Sequence, residues 1–233
     1  MKLRIKFRKY GPVRFIGHLD VMRFFQKAIR RAEIDVAYST GFSPHQIMSF
    51  AAPLGVGLES NGEYMDVEVH SIVSCDDVKM RLNAASVPGI EITSVKILPE
   101  KAGNAMASVA AASYTVRFRE GREPKCNISE ALPGFLSKKQ LLITKDTKKG
   151  SRQVDLKPGI YELTWQDNAF FMLVDASSAG NIKPAQIIEA LLQENKEALQ
   201  ENALLITRED TFMNTGDDTQ RKLVPLDDIG LLV

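Results

Sequence analysis

His18, Asp20 and His45 are the residues whose types suit shared chemistry. Histidine titrates near neutrality, so it exchanges protons at physiological pH, and a nearby carboxylate orients the ring and favours its charged form. Asp20 follows His18 at the start of a helical pattern. His45 belongs to the Gly/Pro-rich stretch GFSPHQIMSFAAPLGVGLES, residues 41–60, which would have to fold back towards them. Two histidines within reach of one phosphodiester suit cleavage beside a 2′-hydroxyl: one removes the hydroxyl proton and the other protonates the leaving oxygen. Nearby cations would stabilise the charge that develops on the phosphate. The competing reading is structural, with Gly17 as helix N-cap and Asp20 at the positive end of the helix dipole. A metal centre is not expected, because His18, Asp20, His45 and His70 share no ligand spacing and Cys75 and Cys126 stand far apart. The chain has two cysteines in all, too few for the cysteine triplet that holds an iron–sulfur cluster of the radical type, and no resident cofactor is expected.

The stretch that carries His45 is a shaped loop, since glycine opens positive φ and close approach while proline fixes φ. Backbone N–H groups at Gly41, Ser43, His45, Gly55 and Gly57, near basic residues, are expected to form an anion-binding concavity. Gly55 and Gly57 do not form a nucleotide-binding fingerprint, because neither the dinucleotide nor the Walker spacing is present.

The elements that must position these groups follow from periodicity. LRIKFRKYG alternates Leu3, Ile5 and Phe7 with Arg4, Lys6 and Arg8, a strand with a cationic outer face. Leu19, Met22, Phe25, Ile29 and Ala32 form a helical apolar stripe, and Arg23, Lys27 and Arg30, with Arg31 beside them, form a cationic ridge on the other side. DVAYS and EYMDVEVH read as strands, Ser74 caps a second helix that Pro88-Gly89 stops, and IEITSVKIL closes the set. The order β-α-β-β-α-β is that of a ferredoxin-like unit. It returns from SYTVRFRE through ALLITRED at a nearly constant offset, with a basic loop KKGSRQVDLKPG in which Lys148, Lys149, Arg152 and Lys157 surround Gly150. The expected architecture is α+β, a tandem duplication of ferredoxin-like (βαββαβ) units with antiparallel sheets: 1–98, a small-residue linker 99–112, 113–210, and a tail 211–233.

A net charge of +1 conceals an asymmetry. Residues 1–50 hold ten basic residues against three acidic ones, giving +7 and leaving −6 for the rest. Concentrated positive charge suits a phosphate-bearing partner, and a solvated face is the plainer alternative. EYMDVEVH is acidic where an RNA-stacking strand would be basic and aromatic, so helix and loop surfaces are the expected RNA contacts. No apolar run reaches the roughly 20 residues that span a bilayer. A start of MKLRIKFRKYG and sparse cysteine lead to a cytoplasmic expectation.

Phe15–Asp20, Arg30-Arg31-Ala32, Gly41–Ser49, Pro53–Ser60, Glu63–Asp66, Lys149-Gly150 and Asp155–Ile160 together resemble the radical-SAM-linked family of uncharacterised bacterial proteins. These occur alone or fused behind a cobalamin-binding radical SAM protein. Ser43 and Gln46 stand where that family's loop more often carries Asn and Pro, and Gly17 where Ser is common. The resemblance implies a radical SAM protein as partner and supplies no reaction. Three functions follow as expectations. The first is a noncatalytic RNA-binding or RNA-presenting accessory protein, contacting structured RNA through Arg23, Lys27, Arg30, Arg31, Lys148, Lys149 and Arg152. The second is an RNA-processing or RNA-modifying enzyme using His18, Asp20 and His45. The third is a protein-only scaffold for the radical SAM partner.

Overall fold

The computed structural model describes residues 1–147, 150–217 and 220–232. The chain is α+β, built on mostly antiparallel sheet with few helices. It divides into two compact units, Met1–Ala110 with Arg208–Val233, and Ala111–Thr207.

The first unit begins with β1 (Lys2–Lys9), α1 (His18–Arg31), β2 (Asp35–Val36), β3 (Met48–Phe50), β4 (Glu59–Ser71), α2 (Cys75–Ala84), β5 (Ile90–Ile97) and the single turn α3 (Ala105–Ser108). β1 lies between β5 and β4, antiparallel to both, and β2 and β3 pair with the other edge of β4. The alternation along β1 explains the packing. Leu3, Ile5 and Phe7 join Met65, Val67 and Val69 of β4, Phe25 and Ile29 of α1, and Val78 and Leu82 of α2 in one core. Burying a side chain such as Phe25 contributes about 1.5–3 kcal/mol. The helical stripe differs from its expected course at the first turn, where Leu19 is exposed and Val21 is buried instead. Ser74 caps α2 as expected, its Oγ accepting from Asp77 N–H at 3.0 Å.

The second unit contains β6 (Ala111–Phe118), α4 (Ile128–Ser137), β7 (Leu142–Thr147), β8 (Gly150–Asp155), β9 (Ile160–Gln166), β10 (Ala169–Asp175) and α5 (Pro184–Glu194). β10 pairs antiparallel with both β6 and β9, and β7 and β8 make a separate hairpin. Half of the expected basic loop is therefore strand, because Gly150–Asp155 finds backbone partners in Leu142–Thr147. The core gathers Val116, Phe170, Met172, Leu132, Phe135, Ile187 and Leu191.

The chain ends with β11 (Leu204–Asn214) and β12 (Leu223–Pro225). Leu204–Thr207 falls in the second unit; from Arg208 onwards the strand belongs to the first, where Thr211 Oγ1 donates to Gly62 O at 3.2 Å. This return covers the outer face of β1 and β4, so the expected cationic face is mostly consumed by pairing. Arg4 is fully buried, donating to both oxygens of Asp66 at 2.8 and 3.0 Å and to Leu226 O at 2.7 Å. Ala105 N–H completes the Asp66 carboxylate at 3.0 Å. Lys6 pairs with Asp210 at 2.7 Å and Arg8 with Glu91 at 3.0 Å. No helix among the described residues is long and apolar enough to cross a membrane.

Candidate nucleic-acid interface

Arg4, Lys6 and Arg8 of β1 are paired with carboxylates, and, among the described residues, a group of exposed cations without such partners lies on α1. Phe25, Ala28 and Ile29 face the core, which at 3.6 residues per turn turns Arg23, Lys27, Arg30 and Arg31 to solvent, where all four are exposed. Arg23 has Asp20 at 3.3 Å, an exposed i,i+3 pair of the kind that contributes little. Among the described residues no carboxylate pairs with Lys27, Arg30 or Arg31. Arg30 Nε donates to Gln26 O at 3.3 Å and an Arg31 guanidinium N–H to Ala85 O at 3.0 Å, which steadies both stems.

The Gly/Pro loop is ordered by its own hydrogen bonds. Tyr38 and Gln46 form an antiparallel bridge, Ser39 N–H donates to His45 O at 2.8 Å, and His45 N–H donates to Ser39 Oγ at 3.1 Å. His45 Nδ1 lies 2.9 Å from the same hydroxyl. The neck so closed holds out a tip, residues 40–44, in which Gly41 takes φ +119 and Phe42 is fully exposed. Tyr38 and His45 are also exposed. Unpaired cations beside exposed rings are the ingredients of single-stranded nucleic-acid contacts, in which bases stack and phosphates are neutralised. A pocket of about 190 Å³ lies between helix and loop, lined by Gln26, Arg30, Tyr38, Pro44, His45 and Gln46. It is smaller than the usual ligand pocket of about 300–1,000 Å³ and suits one planar ring.

The other sequence-derived residues are placed as follows. His18 packs edge-on against Phe50, ring centroids 5.0 Å apart, beside a crevice of about 10 Å³ lined also by Lys9, Pro53, Leu54 and Glu63. That is about the space of a single water. His45 lines the other pocket and Asp20 pairs with Arg23, so no described cavity is lined by two of the three. Gly57 takes φ +87 and donates its N–H to Arg14 O at 2.8 Å, while Gly55 accepts from Leu58 N–H at 3.4 Å. Gly41 and Ser43 are exposed at the loop tip. Arg152 is exposed on β8 in the second unit; Lys148 and Lys149 lie outside the described residues. A concavity of about 380 Å³ in that unit, walled by Phe118, Trp165 and Cys126, has Glu123 as its charged lining residue and is not built to attract phosphate.

Sequence reasoning did not reach two buried polar clusters in the first unit. Arg208 Nε and a second guanidinium N–H reach Glu63 Oε1 at 2.8 and 2.6 Å, and the guanidinium also reaches Ala52 O at 2.6 Å. Lys9 donates to Ile16 O at 3.0 Å nearby; burial pushes its amine below the usual range, opposed by Glu63 and helped by Arg208. Tyr64 lies 2.6 Å from Asp210 and 3.1 Å from Asp227, and burial together with these carboxylates pushes its phenol far up. Arg208 and Asp210 come from the far end of the chain, and no local pattern announces such pairings. Both clusters are closed by their own partners and hold the unit together.

The family model described as an uncharacterized protein conserved in bacteria (DUF2344) matches residues 2–184. Curated proteins give no match.

Proposed function

We propose that this chain, which belongs to the bacterial family DUF2344, is a noncatalytic RNA-binding or RNA-presenting accessory protein. The observation that carries the reading is the pairing pattern of its cations. Arg4, Lys6 and Arg8 of β1 are matched by carboxylates, whereas Lys27, Arg30 and Arg31 on α1 are exposed without one among the described residues. Arg30 shares a pocket with the exposed Tyr38 and His45 of the loop whose tip carries the exposed Phe42. A surface of that kind favours single-stranded or looped RNA over a duplex, because rings need unstacked bases. Arg152, Lys148 and Lys149 are the proposed RNA-binding residues of the second unit, considered by itself.

A radical SAM protein is the proposed partner, supported by the resemblance of residues 15–66 to the radical-SAM-linked family, and the proposed setting is cytoplasmic. The strand orders β5-β1-β4 and β6-β10-β9, each with α-helices in the intervening connections, support a duplicated ferredoxin-like plan. The catalytic alternative draws no support from geometry, since His18 and His45 line different pockets. Ultraviolet crosslinking of the chain in its native extract, with identification of both the RNA and the crosslinked peptide, tests the reading. Crosslinks in residues 38–45 are expected. Recovery of a protein partner with no RNA would replace the proposal with a scaffolding role.

A further inference from the structure

A row of aromatic side chains in the second unit ends in an open concavity. Antiparallel pairing sets Phe170 of β10 between Val116 of β6 and Trp165 of β9, and Phe118 follows Val116 at the strand period, so all share one face of the sheet. Phe170 is fully buried, its ring centroid 4.5 Å from that of Trp165 and 6.2 Å from that of Phe118. The two outer rings are half-buried, and both line a space of about 380 Å³, a size usual for small-ligand pockets. Pro124 adds apolar wall, and Asn168, at φ +54 in the turn between β9 and β10, adds an amide.

The polar groups decide the charge of what fits. Among the described residues that line the space, Glu123 alone is charged; it is exposed, and no described Lys or Arg pairs with it. The start of α4 offers an anion little, because its donors are engaged. Ser129 N–H donates to Asn127 Oδ1 at 3.1 Å, and the N–H groups of Lys125 and Cys126 donate to Glu197 at 2.8 and 2.6 Å. Asn127 Nδ2 donates to Glu130 at 2.8 Å, so two more carboxylates stand beside the lining. Of the neighbouring cations, Arg122 is tied to Gln200 at 3.1 Å, and Lys125 offsets part of the Glu197 charge from outside the lining. Burial, with Glu197 beside it, pushes the Cys126 thiol up, so it stays neutral.

From this arrangement we infer that the concavity takes an organic ammonium ion, its compact apolar body packed on Trp165 and Phe118 and its charge beside Glu123. Aromatic faces attract a cation, tryptophan most strongly, and a carboxylate at a concave apolar wall adds to the attraction. The site belongs to the second unit by itself and does not depend on the RNA surface of α1.

Trp165 is the chain's single tryptophan, so its fluorescence reports this site. Choline and its uncharged isostere 3,3-dimethylbutan-1-ol are titrated at constant ionic strength. Choline is expected to change the emission saturably and to bind about tenfold more tightly than the alcohol. Glu123→Gln, at an exposed position, is expected to keep the fold by circular dichroism and to lose most of that preference. No saturable change with millimolar choline, equal affinity for the two probes, or an undiminished preference in the glutamine variant would overturn the inference. A peptide carrying trimethyllysine then distinguishes the source of the cation. Tighter binding than choline assigns a side chain of a partner protein, binding no tighter assigns a free small molecule, and either result supports the site.

Discussion

Asp66→Asn perturbs the pair that removes charge from β1, and its effect can be worked from the contacts. The Asp66 carboxylate accepts twice from Arg4 and once from Ala105 N–H, and the Arg4 guanidinium has no exposure to water. Asparagine keeps the shape, loses the charge, and turns an NH₂ towards one of these donors. Breaking a buried pair from one side costs about 3–5 kcal/mol, because the other charge is left in low dielectric without compensation. That is a large part of the roughly 5–15 kcal/mol that holds a domain. The single tryptophan, Trp165, lies in the second unit, so its fluorescence does not report this loss directly. Amide hydrogen exchange in peptides spanning β1 and β4 does. Exchange there should accelerate by about a hundredfold or more, since each 1.4 kcal/mol is a factor of ten. The double variant Arg4→Met, Asp66→Leu should recover most of the protection, because an apolar replacement leaves no orphaned charge. Acceleration under tenfold in Asp66→Asn would refute the claim that the first strand's charge is structural.

Three further outcomes follow from other contacts. Tyr64 has its phenol pKa raised by burial and by Asp210 and Asp227, so the stability it gives is complete below the unfolded value near 10 and is lost as pH rises above it. Tyr64→Phe should therefore flatten the fall of the unfolding midpoint at alkaline pH; an unchanged slope would contradict the burial of this hydroxyl. Gly62→Ala places a methyl 2.7 Å from Asp210 Cα and 2.8 Å from Glu209 O, backbone that cannot step aside, and should lower stability by about 1–3 kcal/mol in urea unfolding. Phe42→Ala, at a fully exposed tip, should leave the unfolding midpoint in place and weaken RNA binding by about five- to a hundredfold, the range of one base stacked on one ring.

Short-range periodicity made part of this molecule legible. The alternation in β1 identified the inward Leu3, Ile5 and Phe7, and the i, i+4, i+7 spacing of Arg23, Lys27 and Arg30 placed them on one exposed face. The same alternation implied an outer face open to solvent, and that inference failed because Leu226 and Ala105, remote in sequence, close over Arg4 and Asp66. Leu19 completes the apolar spacing and yet is exposed at the helix start, where Val21 packs instead. In the second unit, charge density in KKGSRQVDLKPG suggested a loop, whereas backbone pairing with Leu142–Thr147 makes part of it strand. Gln46 Nε2 donates to Gln26 O of a different element, a contact that no residue pattern along the loop encodes.

The central claim is that the exposed cations of α1 neutralise RNA phosphates, and salt titration of the charge-reversed protein tests it most directly. Arg23, Lys27, Arg30 and Arg31 are replaced together by Glu, retention of fold is checked by circular dichroism, and affinity for a single-stranded RNA is measured by fluorescence anisotropy from low to moderate salt. Each phosphate contact contributes about −0.7 to the slope of log K against log salt on single strands, so four contacts predict a wild-type slope of about −2.8 or steeper. The account predicts that the variant loses that slope and binds far more weakly at low salt. A folded variant with the wild-type slope and low-salt affinity would contradict it.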